Sequence, residues 1–187
     1  MTYYDVKMQH TDKTFEALSH MQYDLFCKGN LVTRTVMGVA AILLGLTNGS
    51  SWWSILLIAY GCYLFTSKYS SANHTAHKLA DQIRESGMPF PASRYRFQED
   101  RMEIFSLPKE ERLEEPLRYQ DILRLGEDYR YYYLFRDQYG GYMIPKDQLG
   151  ERGIDFRGFL EKKTGLSFRS RTAPVLRVAQ HLSKKKG

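Results

Sequence analysis

Charged side chains that could meet a ligand fall into two groups in the body of this sequence and a third near its end. Lys146 follows a proline in "YMIPKDQL", a position that places an ammonium group at a strand end to meet a phosphate or a carboxylate. Arg94, Arg96 and Arg101 flank one tight connection in "SRYRFQEDR" and offer guanidinium groups to a lipid headgroup. So tight a connection leaves little room for an inositol phosphate pocket. Arg177, Lys184, Lys185 and Lys186 lie in the tail "APVLRVAQHLSKKK", where cations without a single acid suit an anionic membrane surface.

Other patterns have a plainer explanation. His74, His77 and Asp81 fall near one helical face, as a two-histidine, one-carboxylate metal site would require. A solvated helix surface leaving the membrane accounts for them better and is the reading adopted. The run "YRYYYLF" with Arg130 and Arg136 mixes aromatics and cations as single-strand nucleic-acid binders do. In a strand, Tyr129, Tyr131, Tyr133 and Phe135 would share one face and Tyr132 and Leu134 the other, which is core packing. No phosphate-cradling glycine loop, zinc-type cysteine spacing or nucleophile elbow occurs. No catalytic residue, metal, cofactor or nucleic-acid partner is therefore expected.

The elements that must carry these residues are organised around one interval. The chain has 187 residues, 26% of them charged, yet Thr35 to Ser67 contains no charge. The formal net charge of +6 is concentrated in the segment from Phe168 onward. A local basic patch suits a surface contact better than a nucleic-acid-binding fold. The first thirty residues show no secretory-signal pattern. Cys27 and Cys62 are too few for a disulfide framework and are read as free thiols.

The apolar segments Leu31–Leu46 and Trp52–Thr66, joined by "TNGSS", predict a helical hairpin spanning a bilayer. Each is short for a hydrocarbon core of about 30 Å, but flanking residues extend them. Arg34 is expected to snorkel to headgroups, with Trp52 and Trp53 at the opposite interface. A hairpin buried in a soluble core would keep a polar face, which these segments lack. Lys28 and Arg34 before the first span, and Lys68, Lys78 and Arg84 after the second, place both termini in the cytoplasm. Gly38, Ala41 and Gly45 form a small-residue stripe that would pack on Ala59 and Gly61; a homo-oligomer seam is the alternative use.

Polar elements surround the hairpin. Tyr4, Val6 and Met8 alternate with charged neighbours as a strand does, and this strand should pair with the C-terminal sheet. Thr11 or Asp12 would cap a helix interrupted at Gly29-Asn30, and a polar helix should run from Ser67 to Gly87. Beyond "MPFP" the pattern is β-rich: "SRYRFQ" and "RMEIFS" around Glu99-Asp100, then "LRYQDILRLGED", "YRYYYLFRD" and "GYMIPK". A last helix would start with Asp155 as N-cap and stop at Gly165. The fold class is α+β.

The stretches "YRFQEDRMEI", "LRYQDILRLGEDYRYYYLF", "YMIPKDQL" and "FRGFLEKKTG" resemble the YcxB-like family of bacterial membrane proteins. The resemblance implies a two-span hairpin ahead of a pleckstrin-homology-like domain and a place in the bacterial inner membrane. It implies no biochemical activity. The expected organisation is an N-terminal strand and helix (1–30), a transmembrane hairpin (31–66), a juxtamembrane helix and linker (67–91), the pleckstrin-homology-like domain (92–166) and a basic amphipathic tail (167–187). The expected function is non-catalytic binding of a protein, peptide or lipid headgroup by the cytoplasmic domain. The alternative is a membrane-tethered enzyme or sensor with its site at the junction of domain and membrane.

Overall fold

A computed structural model describes residues 2–49, 51–113 and 115–170 of the chain. The fold is α+β and divides into two compact units: a helical one, Asp12–Met88, and a β-rich one made of the residues up to Thr11 and from Pro89 onward. The segment 1–30 is thus shared between them.

The β-rich unit begins with β1 (Tyr4–Gln9), whose Val6 and Met8 are buried while Asp5, Lys7 and Gln9 face out. That period-2 pattern finds its expected partner in β2 (Ala92–Phe97), antiparallel, with Tyr4 opposite Phe97 and Gln9 opposite Ala92. β3 (Arg101–Ser106) pairs with β2, while β4 (Glu111–Arg112) and β5 (Leu117–Arg118) both pair with β3. The Glu99-Asp100 connection is closed by the Gln98 N–H donating to the Arg101 carbonyl at 2.9 Å. A second sheet holds β6 (Arg124–Glu127), β7 (Tyr131–Phe135), β8 (Gly141–Pro145) and β9 (Arg169–Ser170), in the order β8-β7-β6-β9, with β9 parallel to β6.

Helix α5 (Gly153–Thr164) joins the two sheets. The fully buried Phe156 lies 4.9 Å from the Phe97 ring in the first sheet and 5.5 Å from the Tyr132 ring in the second. Burial of a side chain of this size contributes about 1.5–3 kcal/mol. Gly165 ends the helix at φ 68, a left-handed conformation that a Cβ would strain. Asp155 is not the N-cap: α5 starts two residues earlier, so Asp155 sits in the first turn, where its charge still complements the helix dipole. Tyr132 to Phe135 are all buried, so β7 is covered on both faces. Tyr129 lies outside the strand in the preceding turn and is 76% exposed, so it does not share the face of Tyr131, Tyr133 and Phe135.

In the helical unit, α1 (Asp12–Phe26) and α4 (Ser70–Glu85) pack together. α4 buries Ala72, Ala76 and Ala80 at four-residue spacing, and α1 buries Phe15, Met21 and Leu25. Asp12 and Arg84 form an ion pair across the ends of this pair, and the Tyr69 hydroxyl donates to Asp24 at 2.8 Å. α2 runs from Lys28 to Thr47 and α3 from Trp52 to Thr66. The break between α1 and α2 falls at Cys27 and not at Gly29-Asn30. Those two residues occupy the first turn of α2, where poor helix formers disturb few hydrogen bonds. A 3-10 turn at Ser67–Tyr69 precedes α4, and Gly87 follows it at φ 66.

α2 and α3 run antiparallel with their smallest residues between them. Gly38, Ala41 and Gly45 are buried on α2, facing Ser54, Gly61 and Leu64 on α3. Ala59 is exposed, against expectation. Two residues along a helix turn through about 200°, so Ala59 and Gly61 cannot share a face; Ser54, seven residues before Gly61, can. Arg34 does not extend away from the pair. Its guanidinium donates to the Ser67 carbonyl at 3.1 Å, satisfying an orphan acceptor at the end of α3.

Candidate functional site

Each cation singled out from the sequence within the described residues has a partner. Arg94 donates to both oxygens of Asp5, at 2.8 and 2.7 Å, and also pairs with Glu110. Arg96 shares these carboxylates, 3.7 Å from Asp5 and 3.3 Å from Glu110, and its guanidinium lies 4.7 Å from the Phe105 ring centre. The hydrogen bonds and charge of Arg94 hold the Asp5 carboxyl below the usual range; the same contacts push the Arg94 guanidinium up. Register brings the pair together, because Asp5 stands opposite Arg96 and diagonal to Arg94. Arg101 stays apart, 3.2 Å from its neighbour Asp100.

Lys146 does meet a carboxylate, and it belongs to the same chain. Its ammonium is 3.0 Å from Glu127 and 4.3 Å from the Tyr132 ring centre. Arg157 reaches Glu127 at 3.3 Å and Glu161 at 3.2 Å, tying α5 to β6. Arg177, Lys184, Lys185 and Lys186 lie outside the described residues. His74, His77 and Asp81 are exposed on α4, with Asp81 3.2 Å from Arg84. Among the described residues no cluster of histidine, cysteine and acid side chains could hold a metal.

A groove of about 480 Å³ in the β-rich unit brings Lys146, a candidate from the sequence, together with residues the sequence did not single out as a site. Lys7, Met8 and Gln9 of β1 form one side; Tyr129, Arg130 and Tyr131 before and within β7, with Pro145 at the end of β8 and Lys146 to Gln148 after it, form the other. Asp128 builds that second side. Its Oδ1 accepts the N–H groups of Arg130 and Tyr131, each at 2.7 Å, and its Oδ2 accepts the buried Tyr133 hydroxyl at 2.6 Å. The Lys146 N–H donates to the Arg130 carbonyl at 2.8 Å, so the turn and the end of β8 are fixed together. The Arg130 guanidinium stacks 5.0 Å from the Tyr129 ring centre.

The charge of this groove is only lightly compensated. Among the described residues, neither Lys7 nor Arg130 has a carboxylate within ion-pair distance, although Asp147 also lines the wall. Burial raises the Tyr131 hydroxyl above its ordinary range. The groove therefore presents three cations (Lys7, Arg130 and the Glu127-paired Lys146), two tyrosines and one acid, with no histidine or cysteine to act as base or nucleophile. Such a lining can bind an anionic or hydrogen-bonding group. The pairing of Asp128 with its own turn was a legible signal, since aspartate before a strand commonly accepts the N–H groups two and three residues on. No family model, curated protein or solved structure matches this chain.

Proposed function

We propose that the chain is a bacterial inner-membrane protein of the YcxB-like kind whose cytoplasmic, pleckstrin-homology-like domain binds a protein, peptide or lipid headgroup. In this reading α2 and α3 cross the bilayer as a hairpin, with both termini inside. The observation that carries it is an inverted pattern of burial. Glycine, alanine and serine lie between α2 and α3, while Val36, Leu44, Leu46, Trp52 and Ile55 are each at least 60% exposed. Water penalises that arrangement, whereas lipid tails solvate the large residues and let the small ones pack. Among the described residues α2 alone, with 20 residues, has the length and composition to cross a membrane. α3 has 15, so the adjoining Ser67–Tyr69 turn would complete its path. The strand sequence of two antiparallel-rich sheets followed by a bridging helix supports the pleckstrin-homology-like reading.

Topology is tested with Asn48→Cys in a chain whose exposed Cys27 and Cys62 are replaced by serine. Asn48 is preferable to Gly49, whose φ of 72 disfavours a side chain. A membrane-impermeant maleimide added to intact spheroplasts should label this cysteine. Labelling only from the cytoplasmic side would overturn the hairpin. The tail cations belong to the same proposal: a peptide of Thr172 to Gly187 should bind anionic vesicles at low salt and ignore neutral ones.

A further inference from the structure

We infer that the groove beside β1 binds a phosphorylated polyol, its phosphate between Lys7 and Arg130 and its hydroxyls on Asp147 and Gln148. The inference rests on the binding reading above only in taking the β-rich unit as the part that binds, and no step of it uses α2 or α3. The space suits a compact ligand. β8 and the 3-10 segment Asp147–Arg152 lie against β1 within the same unit, which leaves no room for an added strand. The volume of about 480 Å³ falls within the range of about 300–1,000 Å³ that small-molecule sites occupy. Met8 and Pro145, the apolar members of the lining, are buried, so the groove offers polar groups almost alone.

Two cations reach this space from opposite sides without a carboxylate of their own. Asp5, two residues before Lys7 on the same face of β1, is held by Arg94 at 2.8 and 2.7 Å. Arg130 is fixed through its backbone, its N–H on Asp128 and its carbonyl on the Lys146 N–H. The Lys146 ammonium is spent on Glu127 and adds no free charge. A phosphate accepts charge-assisted hydrogen bonds from several donors at once, and Lys7 and Arg130 supply them. Burial keeps the Tyr131 hydroxyl protonated, which adds a donor beside Arg130. Asp147 decides what accompanies the phosphate. An ionised carboxylate only accepts hydrogen bonds, so it repels a bare anion and rewards a ligand that carries hydroxyl donors. The Gln148 amide beside it can both donate and accept.

A phosphorylated polyol exists free, as a monoester, or as the diester headgroup of a phospholipid, and both are tested in soluble form. The full chain is purified without lipid in a polyoxyethylene detergent, which brings neither charge nor sugar. Phosphorus NMR linewidths then follow titrations of glycerol phosphate, glycerophosphoglycerol and inorganic phosphate. Glycerol phosphate or glycerophosphoglycerol should bind saturably and more tightly than inorganic phosphate. Lys7→Gln together with Arg130→Gln should weaken that binding roughly tenfold or more. Lys184→Gln, Lys185→Gln and Lys186→Gln together should leave it unchanged, separating the groove from the basic tail. Asp147→Ala should strengthen inorganic phosphate and weaken the polyol ligand, opposite changes that a loss of folding cannot produce. Tighter binding of glycerol phosphate identifies a free metabolite, tighter binding of glycerophosphoglycerol a lipid headgroup, and either supports the site. Absence of saturable binding overturns the inference, as does binding that follows the tail lysines or ignores the groove variant. An unaltered preference in Asp147→Ala overturns the polyol assignment. The sample contains no bilayer, so this result stands or falls apart from the topology of α2 and α3.

Discussion

Gly38 and Gly61 meet backbone to backbone: a Cβ on Gly61 would stand 2.8 Å from the Gly38 carbonyl oxygen and 2.6 Å from the Ile42 side chain. Gly61→Ala must therefore push α2 and α3 apart, at a cost of about 1–3 kcal/mol. Thermal unfolding in detergent should show the loss. Gly29→Ala is the control, because no atom lies within 4 Å of the added carbon. It should be neutral or mildly stabilising. Equal midpoints for the two variants would contradict the close approach.

Acid should weaken the β-rich unit in two windows. His10 has its pKa lowered from 6.5 by burial, so below that value the unfolded chain takes up the proton first and stability falls until the folded pKa is reached. Asp5 has its carboxyl lowered below 3.8 through Arg94, so its contribution is present above that value and is lost as pH falls through the folded pKa. His10→Gln should flatten the upper window and Asp5→Asn the lower. Melting temperatures from pH 8 to pH 3 would check both. A slope below pH 4 in Asp5→Asn as steep as in the wild type would refute the second assignment.

Asp128→Ala should destabilise the β-rich unit by about 2–3 kcal/mol, because it strips partners from two turn N–H groups and a buried hydroxyl. Tyr133→Phe removes one of those needs. The double variant should then lose less than the sum of the single losses, by about 1 kcal/mol, in a denaturant titration. Strict additivity would show that the hydroxyl and the carboxylate act independently.

Lys146→Met tests how much a paired cation at the end of β8 contributes. Lys146 is occupied by Glu127 and Tyr132, so its loss should lower stability by about 1 kcal/mol. An unchanged midpoint in a denaturant titration would show that the pair with Glu127 contributes nothing to stability.

Local signals in the sequence were easy to read, and long-range ones were not. The alternation of Tyr4, Val6 and Met8, the Gly38–Gly45 stripe and the stops at Gly87 and Gly165 each arise within one element, where periodicity and backbone freedom fix the outcome. The ion pairs were opaque because they depend on register. Asp5 and Arg94 are 89 residues apart, and nothing local to either marks the other. The same holds for Glu127 and Arg157, so cations that looked free proved engaged. Lys7, and Arg130 from a run read as core packing, became part of the candidate site because two distant segments border one groove. Ala59 failed for a geometric reason within its own helix, one that counting residues around the turn would have revealed.

The pairing of β1 with β2 also sets an order of events during synthesis. The whole helical unit, Asp12–Met88, is made after the first strand and before its partner. At about 5–20 residues per second, a nascent β1 waits several seconds on the ribosome with both edges bare. The β1–β2 pair can close only once every helix of the helical unit, α1 to α4, has left the exit tunnel. Folding of the β-rich unit is therefore a receipt for completed delivery of the helices: a chain stalled before β2 carries an unmatched strand that chaperones and proteases can recognise.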